Sequence, residues 1–174
     1  TLKNEVDPKQ QAKTGRNKLR PGKSGNGILA DGDSLLKLPS FGIHHADQPF
    51  SVSIWLKPNE AHKRAVIFSN TSSFDLPFSG YDLVLENGHL IWSLARERPG
   101  CAASVTSLAK IPVGDWTHIT VTNDGSRKAA GLKIFINGQP AKTTITHDNL
   151  TRDFLIGKGL FFLARGRDFG LRGG

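Results

Sequence analysis

The chain predicts an all-β fold, two antiparallel sheets packed face to face as a sandwich of the jelly-roll kind. Three observations predict it. Short runs alternate apolar and polar residues with period two, at the spacing of a sandwich or barrel. Asn87-Gly88 and Asn137-Gly138 each follow such a run, and a two-residue hairpin turn needs residues that accept positive φ. No stretch sustains a helical period, and no Gly-rich phosphate cradle follows a strand and opens a helix.

The elements follow in order. Residues 1–24 are polar and read as an extended lead-in that can pack on the domain formed by 25–174. In "GNGILADGDSLLKLP" two apolar bursts flank Asp31-Gly32-Asp33, which reads as a hairpin or a bent strand. "PFSVSIWLKP" is the clearest strand: Phe50, Val52, Ile54 and Leu56 share one face, and Ser51, Ser53, Trp55 and Lys57 the other. "RAVIFSN" is another strand. In "YDLVLENGHLIWSLA", Tyr81, Leu83 and Leu85 face the core on one arm of a hairpin, and Leu90, Trp92 and Leu94 on the other. "VGDWTHITVTNDG" places Ile119 and Val121 inward. "LKIFINGQP" does the same with Leu132, Ile134 and Ile136, then turns at Asn137-Gly138 into "AKTTIT". "FLIG" and "LFFLARGRDFG" close the series.

The totals bound the function. A chain of 174 residues, 37% hydrophobic, suits one domain with a sizeable core. The net charge of +8 sits at the ends: residues 1–24 hold seven Lys or Arg against Glu5 and Asp7, and residues 25–151 balance to zero. No aromatic residue interleaves the N-terminal charges to stack on bases, so solvated ends are favoured and no nucleic-acid partner is expected. Cys101 is the single cysteine, which rules out an internal disulfide and a Cys-based zinc site. No apolar run is long enough for a membrane helix. The chain opens with neither Met nor a signal peptide, and is expected to be one module of a longer polypeptide.

The blocks "GKSGNGILADGD", "PFSVSIWLKP", "VGDWTHITVTNDGS" and "GLKIFINGQPA" resemble, in order, those of a laminin-G-like domain of the concanavalin A-like lectin/glucanase superfamily. With "EVDPKQQA", "GYDLVLENGHL" and "LARGRDFGLRGG", the chain further resembles the laminin-G-like module of large secreted planctomycete proteins that carry a cytochrome c domain. The resemblance implies a non-catalytic recognition module, secreted, periplasmic or on the cell surface. Its partners would be a carbohydrate or a protein surface, together with neighbouring domains of the parent chain. A structural spacer is the alternative, and a degenerate glycoside hydrolase a weaker one. The resemblance also implies calcium at the sheet rim, with Asp31, Asp33 and Asp168 as candidate ligands, although plain turn chemistry at Asp31-Gly32-Asp33 is the stronger reading.

Catalytic constellations are not found. The glucanase pattern Glu-x-Asp-x-x-Glu is approached by Glu5, Asp7 and Gln10, where the last acid is missing and Pro8 interrupts the strand. No nucleophile elbow is present. His44, His45 and Asp47 read as a solvated loop rather than a metal site, because adjacent strand residues point to opposite faces. The binding candidates are Trp55, His118 and Phe135, which lie opposite the main apolar stripe, with Arg96, Arg98 and Arg165 near strand ends. On an open, concave face the rings would stack on sugars. Under a covering segment they would form a second small core, and the sequence favours the covered reading.

Overall fold

A computed structural model describes residues 6–9, 11–14, 17–30, 36–39, 41–71, 79–154 and 159–162. Among these the chain forms fourteen strands and one 3-10 turn, with no α-helix. In chain order they are β1 (Lys13–Thr14), β2 (Lys18–Pro21), β3 (Asn26–Leu29), β4 (Leu36–Pro39), β5 (Phe50–Leu56), β6 (Arg64–Thr71) and β7 (Gly80–Glu86). Then follow β8 (His89–Glu97), β9 (Cys101–Lys110), β10 (Thr117–Asn123), the turn Ala129–Gly131, β11 (Leu132–Ile136), β12 (Gln139–Pro140), β13 (Thr143–Asp148) and β14 (Gly159–Phe162).

Two antiparallel sheets make the sandwich. The larger runs β1-β4-β14-β6-β7-β8-β9-β13 and the smaller β12-β11-β10-β5; β2 and β3 pair as a separate hairpin. Period-two alternation places the apolar side chains between the sheets. Leu83, Leu85, Leu90, Trp92 and Leu94 of the larger sheet meet Phe50, Ile119, Val121, Leu132 and Ile134 of the smaller, all in one cluster. Fully burying each such side chain contributes about 1.5–3 kcal/mol. Trp92 lies at the centre, 0% exposed, edge-on to Phe50 and Tyr81 at centroid distances of 6.0 and 5.8 Å. Its Nε1 donates to the Thr122 carbonyl at 3.0 Å, a direct hydrogen bond from β8 to β10 across the sandwich. The Tyr81 hydroxyl donates to the Gly42 carbonyl, and burial pushes its pKa well up, so it stays a neutral donor.

The Asn-Gly turns form as the sequence predicts: Asn87 and Gly88 have φ of 51° and 87°, and Asn137 and Gly138 of 51° and 80°. Four features differ from the sequence reading. After Asn137-Gly138 the returning strand lasts only through Gln139–Pro140; the chain then leaves the smaller sheet, and β13 pairs with β9 in the larger one. The two bursts around Asp31 do not pair with each other, since β3 pairs with β2 and β4 with β1 and β14. The polar lead-in contributes β1 and β2. Finally, β9, to which the sequence reading assigns no strand, is an interior strand of ten residues. Its small side chains carry little strand propensity, and the ladders to β8 and β13 hold it.

Candidate functional site

The outward face of the larger sheet carries a groove of about 440 Å³. Alternation builds it: Val84 and Glu86 of β7, His89, Ile91 and Ser93 of β8, and Ser104 and Thr106 of β9 are the residues the core does not use. Register aligns them in rows across the strands. Val84 faces Ile91, which faces Thr106; Asp82 faces Ser93, which faces Ser104; Ser104 in turn faces His147 of β13. A register shift between Ile145 and His147 brings both Thr146 and His147 to the groove wall, the usual effect of a bulge on side-chain aim. Ile91, with the buried Val84 beside it, makes the apolar part of the floor between polar rims.

The charges at this face are matched. Arg64 donates to Glu86 at 2.9 Å. Arg98, from the turn after β8, makes two bonds to the buried Asp82 carboxylate, at 2.5 and 3.2 Å. His147 Nδ1 lies 2.9 Å from Ser104 Oγ, which is itself 2.5 Å from Thr146 Oγ1. His89 Nδ1 lies 3.0 Å from the Ser107 carbonyl. The arrangement offers ordered donors and acceptors above an apolar base, which suits a polyhydroxylated ligand.

The ring residues singled out in the sequence lie on the other sheet. Trp55 of β5 stands opposite His118 of β10, with ring centroids 5.0 Å apart, and Phe135 of β11 stands opposite Thr120, one step along the same face. Ser53 Oγ meets His118 Nε2 at 2.7 Å. Trp55 keeps 44% of its surface exposed, but Lys23 Nζ lies 5.2 Å from its ring centroid, occupying the surface a stacked sugar would use. The groove lies on the eight-stranded sheet, and Trp55, His118 and Phe135 lie on the four-stranded one. Arg98 lines the groove. Arg96 does not; it donates to the Asp153 carbonyl at 3.4 Å. Arg165 and the calcium candidates Asp31, Asp33 and Asp168 lie outside the described residues.

Ser93, Ser104, Thr146 and His147 escape sequence reasoning, because a polar residue on an outward strand face looks the same whether the face is flat or hollow. The one available signal is polar Asp82, Ser93 and Ser104 inside otherwise apolar runs, each nearly buried at 3% exposure. Elsewhere, the adjacent histidines diverge: His44 stacks on Phe50 at 4.5 Å, and His45 binds Asp153. Asp7 sits in a turn, accepting from Lys9 N–H. Among the described residues no three His, Cys, Asp or Glu side chains converge as metal ligands would.

The fold defines a class, antiparallel sandwich domains of the jelly-roll kind. The chain belongs to the concanavalin A-like lectin/glucanases superfamily, whose laminin-G-type family model matches residues 30–169. No curated protein matches at the level of sequence. Solved structures share the fold. The binding domain of Paraclostridial Mosquitocidal Protein 1 superposes with a TM-score of 0.68 at 16% identity, over 95% of this chain and 42% of that one. Botulinum neurotoxin type C, whose cell entry depends on interaction with two ganglioside molecules, gives 0.67 at 18%, over 92% and 39%. Domain 4 of AbnA, an extracellular arabinanase of Geobacillus stearothermophilus solved with arabinotriose, gives 0.56 at 20%, over 88% and 73%. The chain spans less than half the length of either toxin chain.

Proposed function

We propose that this domain is a non-catalytic carbohydrate-binding module of a larger secreted, multidomain protein of the planctomycete type, and that the groove on its eight-stranded sheet holds the sugar. The observation that carries the reading is the lining itself. Ile91 offers an apolar surface for CH groups, and Thr106, Thr146 and His147 offer hydrogen bonds around it. The superfamily, the arabinotriose held by the arabinanase domain and the gangliosides of the neurotoxin support it.

The two carboxylates nearest the groove support binding rather than hydrolysis. Asp82 and Glu86 are four residues apart on one strand, on the order of 13 Å between Cα atoms, wider than the ~5–9.5 Å that separate a hydrolytic carboxyl pair. Each is also held by its own guanidinium. The spacer reading draws on Phe41 and Ile43, which are 47% and 43% exposed before β5 and would suit contact with a neighbouring domain.

The test is a glycan array with the wild-type domain, Thr106→Tyr, which fills the groove, and Trp55→Ala, with folding checked by circular dichroism. Binding lost in Thr106→Tyr and kept in Trp55→Ala supports the groove. The reverse pattern moves the site to the four-stranded sheet, and no glycan bound by any form favours the spacer.

A further inference from the structure

Two imidazoles stand in the groove, His89 at the start of β8 and His147 on the edge strand β13. Each is held through Nδ1. The partner of His89 Nδ1 is the Ser107 carbonyl, which can only accept, so Nδ1 carries the proton and neutral His89 presents a bare Nε2. The partner of His147 Nδ1 is the Ser104 hydroxyl, within a circuit in which the Thr146 hydroxyl donates to the Ser104 carbonyl at 3.2 Å. This circuit takes up a protonated imidazole without losing a bond: Nδ1–H donates to Ser104 Oγ, Ser104 to Thr146 Oγ1, and Thr146 to the backbone. Among the described residues Nε2 of neither ring makes a hydrogen bond.

The carboxylates nearest the two rings are already engaged. Opposite His89, Glu86 of β7 is engaged by Arg64 of β6, and Lys110 of β9 is a cation. Near His147, Asp82 is engaged by Arg98, and Asp148 on its own strand accepts from Ala129 N–H at 2.7 Å. Every lining carboxylate is thus matched to an arginine. The lining arginines Arg64 and Arg98 are answered by Glu86 and by Asp82, which lies behind Arg98; protonating both imidazoles adds two positive charges, and among the described residues no further lining carboxylate answers them.

Resting on the groove as the sugar site, we propose that His89 and His147 make it selective for acidic, uronate-bearing oligosaccharides under mildly acidic conditions. Protonation turns each Nε2 from an acceptor into a cationic donor, and a charge-assisted bond to a carboxylate is stronger than a neutral one. Imidazole is the side chain whose charge ordinarily changes between about pH 5 and 8, where a uronate stays ionised.

The experiment is calorimetric titration of the domain with a galacturonic acid oligomer and with the methyl ester of the same oligomer. Lowering the pH from about 7.5 to about 5.5 is expected to tighten the acid roughly tenfold and to leave the ester within about twofold. The His89→Gln/His147→Gln double variant removes the gain, and His147→Gln alone reduces it. An acid oligomer with no pH response, or a response surviving in the double variant, overturns the proposal. If the ester binds in the groove while the acid gains nothing, the carbohydrate reading stands and this inference falls. If neither oligomer binds at either pH, this inference falls together with the groove reading.

Discussion

Arg98 lies across Asp82, with Nη2 2.5 Å from Oδ1 and Nη1 3.2 Å from Oδ2. The carboxylate is 5% exposed and the guanidinium 29%, so the pair closes one wall of the groove with its anion turned away from water. It also ties the turn after β8 to β7. A carboxylate this deep on the outer face of a sheet is tolerable only because a planar, two-pronged donor meets it.

Removing the cation strands the anion. Arg98→Ala is expected to lower stability by about 2–3 kcal/mol, less than for a fully buried pair because Arg98 is partly solvated. Adding Asp82→Ala to that variant recovers part of the loss. A urea double-mutant cycle measures both effects; additive single losses would mean that the two groups do not couple.

Asp153 gives the fold a pH dependence. Burial pushes its carboxyl pKa up, but hydrogen bonds from Ala46 N–H at 2.9 Å, His45 Nδ1 at 2.5 Å and Phe154 N–H at 3.0 Å, with the charge of His45, outweigh it and hold the pKa below the usual carboxylate value. A depressed folded pKa means stability that is fully present above the unfolded value and lost as pH falls through the folded one. Thermal unfolding of Asp153→Asn is therefore expected below wild type at neutral pH, with the gap closing as the pH falls below about 4. A gap that stays constant into strong acid would show that the carboxylate's charge contributes nothing.

Two glycines with similar backbones separate strain from space. Gly125 and Gly138 have φ of 83° and 80°. A Cβ on Gly125 would stand 2.5 Å from the Asp47 carbonyl oxygen, whereas one on Gly138 meets nothing within 4 Å. Gly138→Ala is expected to cost about 1–2 kcal/mol, the left-handed penalty alone. Gly125→Ala pays that and must also push the loop before β5 away, so its midpoint in chemical denaturation falls further. Equal shifts would mean that this loop yields freely.

Much of the fold was legible because its determinants are local. The alternation of Phe50 to Leu56, of Tyr81 to Leu94 and of Ile119 to Ile136 marks inward faces, and Asn-Gly marks turns, wherever their partners lie. Cys101–Lys110 was not legible: its Ala and Ser residues have no strong preference, and only the neighbours on both sides make it a strand. Nor was the switch of Thr143–Asp148 to β9, since local pattern says that a segment is extended and leaves open which edge receives it. Among the site candidates Arg98 reached the groove, while Trp55, His118 and Phe135 went to the opposite sheet.

By itself the amino-acid sequence determined an all-β sandwich and which side of most strands is buried, because burial period and turn chemistry are properties of a few consecutive residues. Only the tertiary structure decided where the outside of the molecule is hollow. That depends on strand order and on a bulge that turns His147 and Thr146 onto the rows of Ser104 and Ser93, residues up to 54 positions apart that meet only after every intervening strand has paired.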